Sequence, residues 1–276
     1  MSAAMQARWR RGVSAAAALA VLLFLLPLLG ILLRAPWARL GEQLADPAVH
    51  DAMRLSLVSS FGATLVAVVL GLPLALWLAS GRSALRSAAR IVVVLPIVLP
   101  PVVGGVALLL AFGRNGVVGA WLDRWFGVSL PFTTAGAVVA AAYMGMPFFV
   151  LSAEAGLRSF DRRFVDAAAT LGAGPWRRFV GVVLPMVRPA LRTGILLCWA
   201  RALGEFCATQ TFAGNLAGTT RTMPLACAMA METEPDLAIV LSLILASVSV
   251  LVLFVLRHSL LPANGAAADS ARGGKP

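Results

Sequence analysis

Two charged side chains lie inside an apolar segment of this chain. Arg201 and Glu205 are four residues apart within residues 193–213, so a continuous helix would place both on one face. Ionisable side chains in a membrane-spanning segment are costly, and they pair with each other or mark a path for a polar solute. Two roles stay open for this pair: it fixes the geometry of the helix, or it gates a passage directly.

Uncharged polar side chains follow the pair, at Thr209, Gln210 and Thr211. An unpaired carboxylate about 5 Å from a dianion would repel it by roughly 7 kcal/mol at an effective dielectric constant of about 20. Glu205 is therefore compatible with an anion path only if Arg201 or another basic group neutralises it. A path must also bind its solute weakly enough to release it. We therefore predict that Thr209 and Thr211 line the path and that Arg201 and Glu205 are gate candidates.

Few residues of the sequence could support catalysis. The two histidines, His50 and His258, are expected at opposite membrane faces, and no HExxH, GxSxG, P-loop or paired-carboxylate pattern occurs. The three cysteines have no CxxC spacing, and cysteine within a span behaves as a small apolar residue. We predict no catalytic residue and no metal site. A membrane-embedded enzyme is kept as a remote alternative.

Long apolar runs must position these residues. The chain has 276 residues, of which 60% are hydrophobic and 13% charged, and its mean hydropathy is +0.88. A helix needs about 20 apolar residues to cross a bilayer. Six runs reach this length: residues 13–33, 55–81, 91–113, 125–153, 193–213 and 237–256. The sequence predicts an all-α integral membrane protein with six transmembrane helices, a single transmembrane domain over residues 1–258 and a disordered cytoplasmic tail over 259–276.

Basic residues are distributed by membrane side. With six spans, both termini of the chain fall on the same side of the membrane. Sixteen of the 23 Arg and Lys residues fall on that side, and six fall on the other side. Because positive residues favour the cytoplasm, the sequence predicts that both termini and residues 159–189 are cytoplasmic. The net charge of +11 is therefore explained by the orientation of the chain in the membrane. We expect lipid and no nucleic acid as a partner.

The third run contains an unusual group of helix breakers, Pro96, Pro100 and Pro101, followed by Gly104 and Gly105. Proline removes an amide donor and kinks or ends a helix. In hydrocarbon the freed carbonyls are tolerated only beside protein or a watery cavity. Two interpretations stay open: a packing kink, or a helix that lines or gates a transport path. Pro100 and Pro101 are therefore also gate candidates.

Residues 159–189 form a basic connection with helical patterning. Ser159 or Asp161 can cap a helix whose apolar residues recur at helical spacing. Gly172 is expected to end this helix, and Pro175 to begin a second one over residues 175–183. Such a segment suits either a helix lying on anionic lipid or a surface gripped by another protein.

A resemblance favours the second interpretation. The sequence Asp166-Ala-Ala-x-x-Leu171-Gly172, followed by Leu184-Pro185, resembles the "EAA" loop of ABC-importer permeases, with Asp166 in place of the usual Glu. In that family the loop is a coupling helix seated in a groove of a cytoplasmic ATPase subunit. The resemblance implies that this role falls to Phe160, Phe164, Asp166, Ala167, Ala168, Leu171, Gly172 and Ala173.

Three further stretches resemble the molybdate branch of these permeases. They read LPIVLPPVVGGVALLLAFGR (residues 95–114), ARALGEFCATQTFAGN (200–215) and GTTRTMPLA (218–226); Cys207 stands where a glycine is expected. The resemblance implies a type I fold in the bacterial cytoplasmic membrane, a homodimer, and an extracytoplasmic oxyanion-binding protein. It also implies separate ATPase subunits that use ATP and Mg, with no cofactor bound by this chain. Sulfate, thiosulfate and tungstate remain alternative substrates, and a scaffold that transports nothing is another alternative.

Overall fold

The computed structural model describes the backbone of residues 3–260 and the side chains of residues 13–255. This part of the chain is helical and contains no β-strand, so the all-α fold class is confirmed. Its α-helices are α1 (Ala3–Arg34), α2 (Leu40–Leu44), α3 (Pro47–Ala79), α4 (Ala84–Val98), α5 (Pro101–Phe112), α6 (Gly119–Phe126), α7 (Thr134–Ser159), α8 (Arg163–Thr170), α9 (Pro175–Arg178), α10 (Leu184–Leu203), α11 (Cys207–Ala213), α12 (Met223–Thr233) and α13 (Pro235–Leu260).

Five helical stretches in the described part are long and apolar enough to cross a membrane. They are Val13–Arg34, Pro47–Ala79, Thr134–Ser159, Pro175–Leu203 and Pro235–Val255. α4 and α5 pass the same test together, but their axes meet at 119°. The predicted number of six applies when this bent pair is counted as one span. The predicted tail, residues 259–276, lies outside the described residues apart from its first two, which end α13.

The centre of the bundle is α7, which packs against α3 and α10. Phe149 and Val150 of α7 are buried with Leu78 of α3 and Cys198 of α10. Small residues let the helices approach closely. A Cβ atom added at Gly71 of α3 would lie 2.9 Å from Cδ1 of Phe149. The core is therefore a helix–helix contact to which α7 contributes Phe149, its largest fully buried side chain.

The third predicted span is broken at the prolines, as the sequence indicated. α4 ends at Val98, Leu99 and Pro100 have ψ angles of 141° and 132°, and Pro101 occupies the first turn of α5. A residue that precedes proline is disfavoured in the α conformation, and both Leu99 and Pro100 precede one. The chain therefore leaves the helix for two residues and resumes in a new direction.

The fifth span differs from its predicted bounds of residues 193–213. The helix starts at Pro175, passes through a π-helical turn at Phe179–Val183, and ends at Leu203. At the end of this π-turn the Leu184 N–H bonds to the Phe179 carbonyl, five residues earlier. A proline in a regular helix clashes with the carbonyl four residues before it. The wider π-turn relieves this clash and so accommodates Pro185. The predicted second cytoplasmic helix, residues 175–183, is thus the beginning of this span.

Candidate functional site

Arg201 and Glu205 form the expected ion pair, with Nη1 of Arg201 2.6 Å from Oε2 of Glu205. The prediction that they share one face of a continuous helix is wrong. Arg201 lies in the last turn of α10, which ends before Gly204, and Glu205 precedes α11. Oε1 of Glu205 accepts a hydrogen bond from the Ala208 N–H at 2.7 Å. The carboxylate therefore bridges a helix end and a helix start.

This arrangement satisfies a carboxylate that is only 3% exposed. A buried charge is tolerated when it is paired and its remaining oxygen accepts a hydrogen bond. Both conditions hold here, and the amide at the N-terminus of α11 adds favourable electrostatics. The geometry fits a pair that fixes the turn between α10 and α11, and a gating role stays a prediction.

The two threonines predicted to line a path have different surroundings. Thr209 is 1% exposed, so in this conformation it does not face an open passage. Thr211 is half-buried and its hydroxyl donates to the Cys207 carbonyl at 2.8 Å. Its Cβ lies only 2.6 Å from where a Cβ on Gly105 would stand. The structure therefore brings α11 against α5, directly after Pro100 and Pro101.

The first helix predicted within residues 159–189 is present as α8, with the expected ends; its coupling role stays a prediction. Asp161 caps it, since its Oδ1 accepts from the Arg163 N–H at 2.9 Å, whereas the Ser159 hydroxyl donates to Gly156. At the other end Gly172 has φ +78°. The Ala173 N–H bonds to the Ala168 carbonyl and the Gly172 N–H to the Ala169 carbonyl, each at 3.0 Å, which is a Schellman motif.

Phe160 does not belong to this helix. It follows α7 in an extended conformation (φ −74°, ψ 147°) and packs against the core of α3, α7 and α10. It lines a cavity of about 290 Å³ beneath α8, together with Val165 and Asp166 of α8 and Leu76 of α3. Phe160 therefore packs between α8 and the bundle, and its place in a coupling surface stays a prediction.

Large apolar side chains do face outward beside α8. Phe164 is 58%, Leu171 88% and Trp176 75% exposed, whereas Ala168 and Ala173 are half-buried. Asp166 and Ala167 are exposed next to them. Exposed apolar residues rimmed by charged ones are typical of a protein interaction site. Because α8 lies between α7 and the helix that starts at Pro175, any partner held here is connected to two spans.

Sequence reasoning missed Glu154, the residue directly after the predicted fourth span. It is 4% exposed and lies in α7, where Nε of Arg90 donates to both its oxygens at 3.2 Å and Nε of Arg158 donates at 2.8 Å. Nη2 of Arg158 also reaches the Leu78 carbonyl at 2.9 Å. The spacing of Glu154 and Arg158 was visible in the sequence, but Arg90 is brought there only by the fold.

Within the described residues, no group of three His, Cys, Asp or Glu side chains could hold a metal ion.

At the end of the bundle away from α8, a cavity of about 230 Å³ is lined by Asp46, Arg221 and Glu234 among others. Nε of Arg221 donates to Oδ1 of Asn215 at 2.9 Å.

Known proteins resemble this chain over most of its length. The profile of a family described as "Binding-protein-dependent transport system inner membrane component" matches residues 67–260. The protein "Molybdenum transport system permease protein ModB" of Mycobacterium tuberculosis is 41% identical over 227 residues, which cover 82% of this chain and 86% of that protein. "Sulfate transport system permease protein CysT" of Escherichia coli is 35% identical over 238 residues, or 84% and 85% of the two chains.

Solved structures share the fold. A chain of a bacterial ABC transporter involved in the import of the acidic polysaccharide alginate superposes with a TM-score of 0.71 at 16% identity, over 94% of this chain and 98% of that one. A second structure of an alginate transporter, in complex with its alginate pentasaccharide-bound periplasmic protein, has a TM-score of 0.66 at 16% identity, over 92% and 95%. At these identities the likeness concerns architecture alone.

Proposed function

This chain belongs to the family of inner-membrane components of binding-protein-dependent transport systems, and we propose that it is the permease of an ATP-driven molybdate importer. Membership makes it a multi-pass membrane subunit of an ABC importer and not an enzyme. The choice of molybdate as the substrate rests on the 41% identity to a molybdenum permease over 82% of the chain. The sulfate permease is less similar, at 35%.

The arrangement of α8 supports a coupling role in this importer. In the proposal, a cytoplasmic ABC ATPase grips Phe164, Leu171 and the alanine face of α8 and uses ATP and Mg. Movement of α8 would pass to α7 and to the helix from Pro175, and from there to the broken pair α4–α5. The proposal places both termini in the cytoplasm, consistent with the excess of Arg and Lys on that side, and assigns no cofactor to this chain.

The passage itself would lie between two copies of the chain. α4 and α5 expose large apolar side chains, among them Ile91, Val98, Val102 and Leu110, which can pack against lipid or a second copy. An extracytoplasmic protein would deliver the oxyanion at the end of the bundle away from α8. Pro100, Pro101, Arg201, Glu205, Thr209 and Thr211 remain the candidates for path and gate.

The proposal is tested by uptake into vesicles that contain the chain, its ATPase and its binding protein. We expect ATP-dependent accumulation of radiolabelled molybdate that excess unlabelled sulfate does not suppress. Equal competition by sulfate or tungstate would assign the chain to the alternative oxyanions. Absence of any oxyanion uptake by an assembled complex that hydrolyses ATP would overturn the proposal.

A further inference from the structure

The side chains of Arg90, Glu154 and Arg158, called here the arginine clamp, join three helices at the end of the bundle that carries α8. Arg90 belongs to α4, and Glu154 and Arg158 belong to α7. Arg158 extends the clamp to the Leu78 carbonyl, one of the last carbonyls of α3. Helix-terminal carbonyls lack partners within the helix, so this bond satisfies the end of α3 as well. One buried carboxylate thus holds α4 and, through Arg158, α3.

α4 has few buried contacts with the bundle besides the clamp. Pro96 is its only buried residue, while Ala89 and Val93 pack partly against the core. Arg90 donates to Glu154 from both Nε and Nη2, and Nε reaches both carboxylate oxygens; this bidentate geometry fixes orientation as well as distance. Glu154 is 4% exposed, so solvent screens this contact little. Any movement of α7 at Glu154 is therefore passed to α4.

The same helix ends carry α8. The cavity beneath α8 is lined by Leu76 and Ala79 at the end of α3, by Leu157 and Phe160 at the end of α7, and by Val165 of α8 itself. Leu157 precedes Arg158 of the clamp, and Leu76 and Ala79 flank Leu78. A displacement of α8 therefore bears on the two helix ends that the clamp ties together.

α5 is held by contacts other than the clamp, and some of them are to α7 near Met144. Beyond the break at Pro100 it packs against α11, where a Cβ on Gly105 would lie 3.1 Å from the Ala208 backbone. The bent pair thus has one arm held by the clamp and the other held by α11 and by a different part of α7. Because the two arms have separate contacts, a shift at the clamp would act on the angle at the break.

We propose that Glu154 is a positioning residue that transmits movement of α8 to α4 and so to the break at Pro100. This inference rests on the proposed function, in which an ATPase moves α8. The clamp does not bind the transported ion. Its loss would leave an assembled transporter that hydrolyses ATP with less transport for each ATP consumed.

The test measures molybdate imported per ATP hydrolysed, in vesicles containing the chain, its ATPase and its binding protein. Glu154→Gln keeps the shape and removes the charge, and Arg90→Lys keeps the charge and removes the fork. We expect both variants to assemble with the ATPase and to lower the ratio of molybdate imported to ATP hydrolysed. The expected decrease is roughly two- to thirty-fold, which corresponds to the coupling energies that single mutations change in other proteins. Arg82→Gln is the matched control, since the Arg82 side chain has no hydrogen bond or ion pair within the described residues.

A charge exchange separates coupling from simple loss of stability. Arg90→Glu alone would place two carboxylates beside Arg158, whereas Arg90→Glu combined with Glu154→Arg would restore the net charge of the cluster and an ion pair between α4 and α7. We expect the double variant to recover part of the ratio that the single variant loses. An unchanged ratio in Glu154→Gln, with wild-type uptake intact, would overturn the inference and leave the proposed function standing. Failure of the wild-type complex to import molybdate would instead contradict the proposed function.

Discussion

Glu205 shows at the residue scale how a buried charge is accommodated in this protein. Arg201 occupies one carboxylate oxygen and the Ala208 amide the other. The side chain of Arg201 is 27% exposed and that of Glu205 2%. An anion approaching this region would therefore meet the guanidinium before the carboxylate, which removes the repulsion that an isolated Glu205 would exert.

Replacing Glu205 tests this account. Glu205→Ala leaves Arg201 partly buried without its partner, and breaking such a pair costs about 3–5 kcal/mol. We expect a clearly lower thermal unfolding midpoint of the purified protein. Glu205→Gln, which retains an oxygen for Ala208, should lose less. Glu42→Ala is the control, because the Glu42–Arg39 pair is exposed on both sides; an equal loss there would contradict the role given to burial.

Gly172 and Gly174 form a natural matched pair. A Cβ at either position would meet nothing within 4 Å, but Gly172 has φ +78° and Gly174 has φ −66°. A left-handed conformation costs a non-glycine residue roughly 1–2 kcal/mol. We expect Gly172→Ala to increase hydrogen exchange in α8 and reduce uptake, while Gly174→Ala behaves as wild type. Equal behaviour of the two variants would exclude the conformational explanation.

At the scale of elements, the broken pair α4–α5 and the interrupted segment α10–α11 form one assembly. α5 packs on α11 through Gly105 and Thr211, and Glu205 sets how α11 leaves α10. Both interruptions occur where the helix cannot continue. Consecutive prolines remove the backbone donors in the first case, and a side chain replaces the backbone partner of Ala208 in the second.

The contact between α5 and α11 can be tested with two adjacent glycines. A Cβ at Gly105 would lie 2.6 Å from Cβ of Thr211 and 3.1 Å from backbone atoms of Ala208. A Cβ at Gly104 would meet the Tyr143 ring at 3.2 Å, which can shift. Overpacking costs about 1–3 kcal/mol, so we expect Gly105→Ala to lower the unfolding midpoint and the uptake rate. Gly104→Ala is the control and should change both less.

At the scale of the whole molecule, the chain exposes far more apolar surface than a protein in water tolerates. Phe24, Leu65 and Leu110 on the long helices are 76%, 65% and 68% exposed. Lipid or further copies of the chain can cover these residues within the membrane. Leu171 and Trp176 are exposed at the end of the bundle that carries α8, where the proposed ATPase would cover them. This distribution supports assembly with a cytoplasmic subunit.

A charge at Leu171 should prevent that assembly. Leu171 is 88% exposed, so Leu171→Glu costs the chain itself little. An interface side chain of this kind contributes about 1–2 kcal/mol or more. We therefore expect co-purification of the ATPase to fall at least several-fold. Val117→Glu is matched in exposure, at 89%, and lies in the connection leading to the other end of α7. A similar loss with Val117→Glu would show that the effect is not specific to α8.

The sequence alone determined the features that depend on local chemistry. Runs of apolar residues predicted the all-helical membrane fold, Pro100 and Pro101 predicted the break, and Gly172 predicted the end of α8. Each follows from hydrophobic length or backbone stereochemistry within a few residues. The family resemblance was readable for the same reason, since its motifs are short and contiguous. The single-domain boundary at residue 258 and the gate residues stay predictions.

Only the tertiary structure decided the features that depend on distant contacts. The 119° angle between α4 and α5 is set by what each arm packs against, and the sequence could not tell that α10 ends at Leu203. Arg90 and Glu154 are 64 residues apart and meet only when α4 lies on α7. Glu154 needs its arginine partners because it is buried. Whether a residue is buried depends on how the whole bundle packs and not on any one segment of the sequence.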